Sequence, residues 1–170
     1  SKDELKGILG GCFSPHYFPI ELVENLTHIQ YLEFEDAAKI IKSNCEITSI
    51  NLRHPGGASG YIFETNKGKF SYLLDHEYDD ESALEIINAS KKSDLIIWDG
   101  MFTPEELSMR KGWGHSSIAQ GNDFLIQSDS KKMGISHHSP YRNDKDMTNL
   151  EKSFTNQNLF LAKEGQTIKF

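Results

Sequence analysis

The chain of 170 residues is poor in cysteine, proline and positive charge, and it has no long apolar run. Its two cysteines, Cys12 and Cys45, form no Cys-x-x-Cys pair and cannot build a disulfide framework. That excludes a stapled secreted scaffold and fits a reducing cytosol, so a cytoplasmic location is expected. No stretch holds the roughly 20 consecutive apolar residues a bilayer crossing needs, and the opening residues show no secretion signal. Without that signal the sequons Asn25-Leu26-Thr27 and Asn88-Ala89-Ser90 carry little weight. The net charge of -7 argues against a protein held to nucleic acid by backbone charge alone. It leaves open a nuclease whose metal ions meet the phosphate. No repeat or low-complexity tract is visible. What remains is ordinary: 37% hydrophobic and 25% charged residues, enough for one domain over 1–170 with a real core. The chain starts at Ser1, so a start inside a longer product, or after a processed end, is the expectation.

Patterning predicts an α/β (α+β) fold. Residues 1–28 read as loop with a short turn of helix, because Pro15 and Pro19 break a long one. His16 and His28 fall on loops or surface. Gln30–Phe34 alternates and predicts a strand, as does the β-branched Cys45–Leu52. Gly60–Thr65 and Phe70–Leu74 flank a hairpin turn, Asn66-Lys67-Gly68-Lys69, whose glycine suits positive φ. Asp79–Ala89 predicts a helix with acids near its start. Asp94–Trp98 is continuously apolar after its first residue, as in a strand buried on both faces. Thr103-Pro104-Glu105-Glu106 predicts a helix start. A glycine-flanked loop, Lys111–Ser117, leads to a helix running to about Ser128. A strand ends in His137, where Ser139 and Pro140 stop it. Lys145–Phe154 predicts a helix. Leu159–Ala162 and Thr167–Phe170 predict two closing strands. Strands alternating with helices imply helices layered on a sheet.

Several strand-end and loop groups could carry chemistry. His54 follows a strand and precedes Pro55-Gly56-Gly57. Zinc-like ions take imidazole and carboxylate ligands from separate strand ends; a loop histidine bonded to a carbonyl is the plainer alternative. Asp75 ends a strand, where a carboxylate can bridge two ions or merely cap a turn. At most one of His76 and Glu77 shares its neighbourhood if the strand continues. His115 can act as a general acid or meet a phosphate oxygen as imidazolium; it can equally sit at a helix start capped by Ser116. His137 and His138 face opposite sides of a strand, so only one reaches a given site. Asp99 and Asp144 are candidates to orient a histidine through its second ring nitrogen.

Taken together, HPGGASGY (54–61), LLDHE (73–77), DLIIWDGMFTPEE (94–106), KGWGHSS (111–117) and ISHHSPYRND (135–144) resemble the later part of a metallo-β-lactamase-fold hydrolase. The likeness is to the ribonuclease Z and phosphodiesterase branch and covers about residues 9–170 in order. It implies an αββα sandwich, mostly its C-terminal half. It implies two divalent metal ions, zinc before manganese or iron. It implies His54, Asp75 and His137 as metal ligands, Asp75 bridging, and His115 as the catalytic histidine of a His-Ser-Thr loop that here reads His-Ser-Ser. The family's His-x-His-x-Asp-His motif, the source of most ligands, is absent from this sequence. Three ligands leave both metals short. The expectation is therefore the C-terminal part of a longer hydrolase, acting on small phosphodiester or related ester bonds with a metal-activated water. Half a sandwich exposes an apolar sheet face, so a homo-oligomer, or association with the missing N-terminal part, is expected. The other expectation is a non-catalytic binding or assembly module with an incomplete metal site.

Overall fold

The computed structural model describes residues 2–17, 29–41 and 45–169. The chain divides into two compact units, Ser1–Ser43 and Asn44–Phe170. The first unit holds helix α1 (Lys2–Cys12) and helix α2 (Phe34–Ile41). Helix α1 is longer than the short turn expected; Asp3 and Glu4 favour its N-terminal end. Helix α2 displaces the strand expected over Gln30–Phe34. Phe34 instead opens a helix with Glu35 and Asp36 in its first turn, and five alternating residues are too few to decide between the two periods. His16 is exposed on a turn; His28 and the sequon at Asn25 lie outside the described residues.

The second unit is built on one six-stranded sheet. Strands β1 (Cys45–Leu52), β2 (Ala58–Thr65) and β3 (Gly68–Leu73) form an antiparallel meander. The turn between β2 and β3 is closed by Thr65 Oγ1, which accepts the Lys67 and Gly68 N–H groups. Gly68 is not in the left-handed region. Helix α3 (Ala83–Ser90), strand β4 (Leu95–Asp99), helix α4 (Pro104–Ser108), helix α5 (Ile118–Gln127), strand β5 (Met133–Ser136), helix α6 (Asp144–Lys152) and strand β6 (Leu159–Leu161) follow. From β3 onward neighbouring strands are parallel. The strands lie in the sheet in chain order, β1 to β6.

Local chemistry sets the element ends. Helix α4 starts as the sequence predicts, with Thr103 and Glu106 in a reciprocal capping box and Pro104 in the first turn. Ser117, not Ser116, caps α5 with Gln120. Helix α3 starts at Ala83 because Asp79 stays ahead of it, accepting the Glu81 and Ser82 N–H groups. The closing strand expected at Thr167–Phe170 does not form over 167–169. The core joins Trp98, Phe124, Leu73, Ile86, Ile96, Met133, Ile135 and Leu161, all essentially inaccessible. Each such side chain contributes about 1.5–3 kcal/mol by leaving water. The second sheet of a four-layer sandwich has no counterpart among the described residues.

Candidate metal centre at the sheet edge

Strand register brings the chemistry to one place. Leu73, Trp98 and Ile135 pair along β3, β4 and β5. Asp75, Asp99 and His137 therefore lie one or two residues past the same rung, Asp99 at the C-terminal end of β4 and the other two just beyond the ends of β3 and β5. Open α/β sheets bind ligands at that edge. The backbone aims two of these residues: Asp75 and His137 both sit at φ 54, in the left-handed region.

His115 arrives from the loop ahead of α5, and four hydrogen bonds fix that loop. Ser116 Oγ donates to the His76 carbonyl and accepts the Tyr78 N–H at 3.0 Å, stitching the segment after Asp75 to the residue after His115. Glu77 accepts the Gly112 and Gly114 N–H groups at 2.8 and 2.9 Å. Gly114 has φ 88, and a Cβ there would lie 2.3 Å from His54 Cδ2, so only glycine fits. The Glu77 N–H in turn donates to the Arg53 carbonyl, tying in the loop that carries His54.

Asp75, Asp99, His115 and His137 offer ligand atoms that all lie within 4.8 Å of one another. Asp99 is fully buried, and its Oδ2 meets His115 Nδ1 at 2.8 Å. The same carboxylate accepts the His76 and Met101 N–H groups at 3.2 Å. His137 Nδ1 is 3.4 Å from Asp75 Oδ1 and 3.9 Å from Asp99 Oδ2. Exposure rises outward: the side chain of His115 is 12% exposed, His137 29% and Asp75 49%. The His115 and His137 ring centroids are 4.6 Å apart. His54 stands beside the group, edge-on to His115 at 5.6 Å, without joining the four. Among the sequence candidates, Asp99 thus meets a histidine, whereas Asp144 begins α6.

His76 has a different setting. It packs edge-on to Trp98 and Tyr78 at 5.4 and 5.7 Å, with neither ring nitrogen hydrogen-bonded among the described residues. Burial lowers its imidazole to about 4, so it stays neutral. His138, beside His137, is half-buried and likewise held low, chiefly by burial. The sequence marks Glu77 only as a neighbour of Asp75; that its carboxylate pins the His115 loop is not legible there, because its partners are backbone amides 35 and 37 residues away.

No protein-family model and no curated protein matches this sequence. Solved structures do. The short form of human tRNase Z superposes with a TM-score of 0.60 at 17% identity, over 75% of this chain and 44% of that one. YhfI of Bacillus subtilis, a metallo-β-lactamase fold protein, gives 0.58 at 17% identity, over 72% of this chain and 48% of that one. A diphosphatase of the PhnP family gives 0.50 at 14% identity, over 75% and 44%. The chain spans less than half the length of these proteins. The likeness shows the fold: a mixed α/β sheet with its helices, forming part of a metallo-β-lactamase fold.

Proposed function

We propose that this chain, which carries part of a metallo-β-lactamase fold, contributes the strand-end half of a two-metal centre that hydrolyses phosphodiester or related ester bonds. The observation that carries the reading is the convergence of Asp75, Asp99, His115 and His137 within 4.8 Å at one sheet edge. The donors fit such a centre. Imidazole nitrogen and carboxylate oxygen suit zinc first, and manganese or iron after it. Asp75 and His137 would hold metal, Asp75 through two oxygens that can serve two ions, and His54 would join them from the β1–β2 loop. Metal bound there lowers the pKa of a water and neutralises phosphate oxygens. Asp99 holds His115 by Nδ1, which leaves Nε2 to carry a proton to the departing oxygen.

Neighbours in fold include a tRNase Z and a diphosphatase; both names support hydrolysis at phosphorus, and the first supports a phosphodiester. The net charge of -7 favours a small ester over a long nucleic acid. These groups are too few for two ions, each of which takes about four donors or more. The remaining ligands would come from a further segment or a second copy. The sheet face that carries Ile47, Phe63 and Tyr72, the last of them 39% exposed, offers the docking surface.

Zinc titration calorimetry tests the centre. Asp75→Asn and His137→Ala are each expected to weaken zinc binding by about tenfold or more, and zinc is expected to stimulate cleavage of a chromogenic phosphodiester. Zinc affinity unchanged in both variants would overturn the reading.

A further inference from the structure

A cleft of about 630 Å³ lies beside the cluster, lined among others by Met101, Phe102, Arg110, Trp113, Tyr141 and Arg142. Its volume falls within the range of small-molecule sites, about 300–1,000 Å³. Phe102 joins it to the chemistry, because its ring stands edge-on to His115 at 6.0 Å. Two large aromatic side chains in this cleft are exposed, Trp113 at 61% and Tyr141 at 91%. They come from the loops that carry the cluster's histidines. Trp113 is two residues before His115, and Tyr141 is four after His137.

Both loops are held. The Gly112 and Gly114 N–H groups, on either side of Trp113, donate to Glu77, and the Trp113 N–H donates to the Arg110 carbonyl. The Arg110 guanidinium lies 5.9 Å from the Trp113 ring and 5.4 Å from that of Phe102. Next to Tyr141, Arg142 donates to the Met101 carbonyl at 2.6 Å and to the Glu106 carboxylate. An exposed indole on a fixed backbone pre-organises its face for a ligand.

The charges in the cleft are already committed. Glu106 also accepts the Thr103 N–H, Arg110 donates to the Glu106 carbonyl, and Asp146 accepts the Asn143 N–H. What the cleft offers is aromatic surface beside a cluster suited to metal and phosphate. We infer that Trp113 and Tyr141 form a stacking subsite for the nucleobase of a nucleotide ester whose phosphate lies at the Asp75–His137 cluster. This inference rests on the metal-centre reading above.

The probe is adenosine 5′-monophosphate, with glycerol 3-phosphate as the ring-free control, both with zinc present. Trp98 is wholly buried, so fluorescence quenching reports on Trp113. Saturable quenching by the nucleotide and not by the control is expected. By calorimetry, Trp113→Ala should weaken nucleotide binding about tenfold and Tyr141→Ala about fivefold, within the range of base stacking. Trp113→Phe should stay within about threefold, because a ring remains. Both positions are exposed, so circular dichroism should match the parent protein. Equal binding of nucleotide and control would overturn the inference, as would Trp113→Ala binding like the parent. Zinc titrations on the same variants separate the two readings. Zinc binding without Trp113-dependent nucleotide binding sinks the subsite and spares the centre. Trp113-dependent nucleotide binding without zinc binding sinks the centre and spares the subsite.

Discussion

The two halves of the sheet are built to different rules. Strand β4, in the parallel half, is inaccessible at every residue except the half-buried Ile97. Strand β1, in the antiparallel half, is longer but buries only Ile50 and Leu52. Crossover helices explain the contrast, since a parallel strand acquires a covering layer with each connection. The meander of β1 to β3 has only short turns and gains none. The lesson is where precision resides. Asp99, His115 and His137 all leave the covered half, in which packing over-determines position. The antiparallel half supplies His54 and the strand that leads to Asp75.

This contrast can be broken by measurement. Trp98→Ala should cost about 3–5 kcal/mol in urea unfolding, because its indole packs against His76, Tyr78 and Phe124. Ile47→Ala on half-buried β1 should cost about 1 kcal/mol. Equal costs would mean that the two halves do not differ as described. Gly114→Ala should cost about 2 kcal/mol, since it forces a side chain into positive φ and onto His54. Its zinc affinity should fall as the His115 loop shifts, which calorimetry reads. Asp99→Asn should cost about 1–2 kcal/mol by weakening a buried hydrogen-bonded network.

A further effect lies where the two halves meet, at the Asp79–Arg53 pair between the β3–β4 crossover and the β1–β2 loop, and concerns pH. Burial alone would raise the Asp79 carboxyl, but the Ser82 N–H, the Arg53 guanidinium and the Ser82 hydroxyl outweigh it and hold the group at about 2. A carboxyl lower in the folded than in the unfolded chain adds stability at higher pH. That stability is lost as pH falls from 3.8 toward about 2. Unfolding curves across this window should be shallower in pH for Asp79→Asn than for the parent; identical slopes would remove Asp79 from the account.

Much of the second unit was legible. The β-branched alternation of Cys45–Leu52, the unbroken apolar run ending at Asp99 and the Thr103-Pro104 start all report local physics, and each folds close to its predicted bounds. The first unit was less so. Gly7, Gly10 and Gly11 disguise α1 by lowering helix propensity, and the alternation of Gln30–Phe34 hides a helix start at Phe34. At the site, sequence could nominate strand-end residues but not rank them. That Asp99 stands closer to His115 than His54 does depends on β4 lying between β3 and β5, which only the sheet order reveals.

That order has a further consequence, for synthesis. Each strand lies beside the one made just before it, so a chain emerging from the ribosome can add every new strand to an edge that already exists. Among the described strands, none must wait for a distant segment before it can pair. The closure entropy of each step is set by one hairpin or one crossover rather than by the whole chain. Strand β6 follows β5, so β5, which leads to His137, is already paired with β4 when β6 is made. The sheet edge that carries the chemistry is laid down from β3 toward β5, in the order in which its residues are translated.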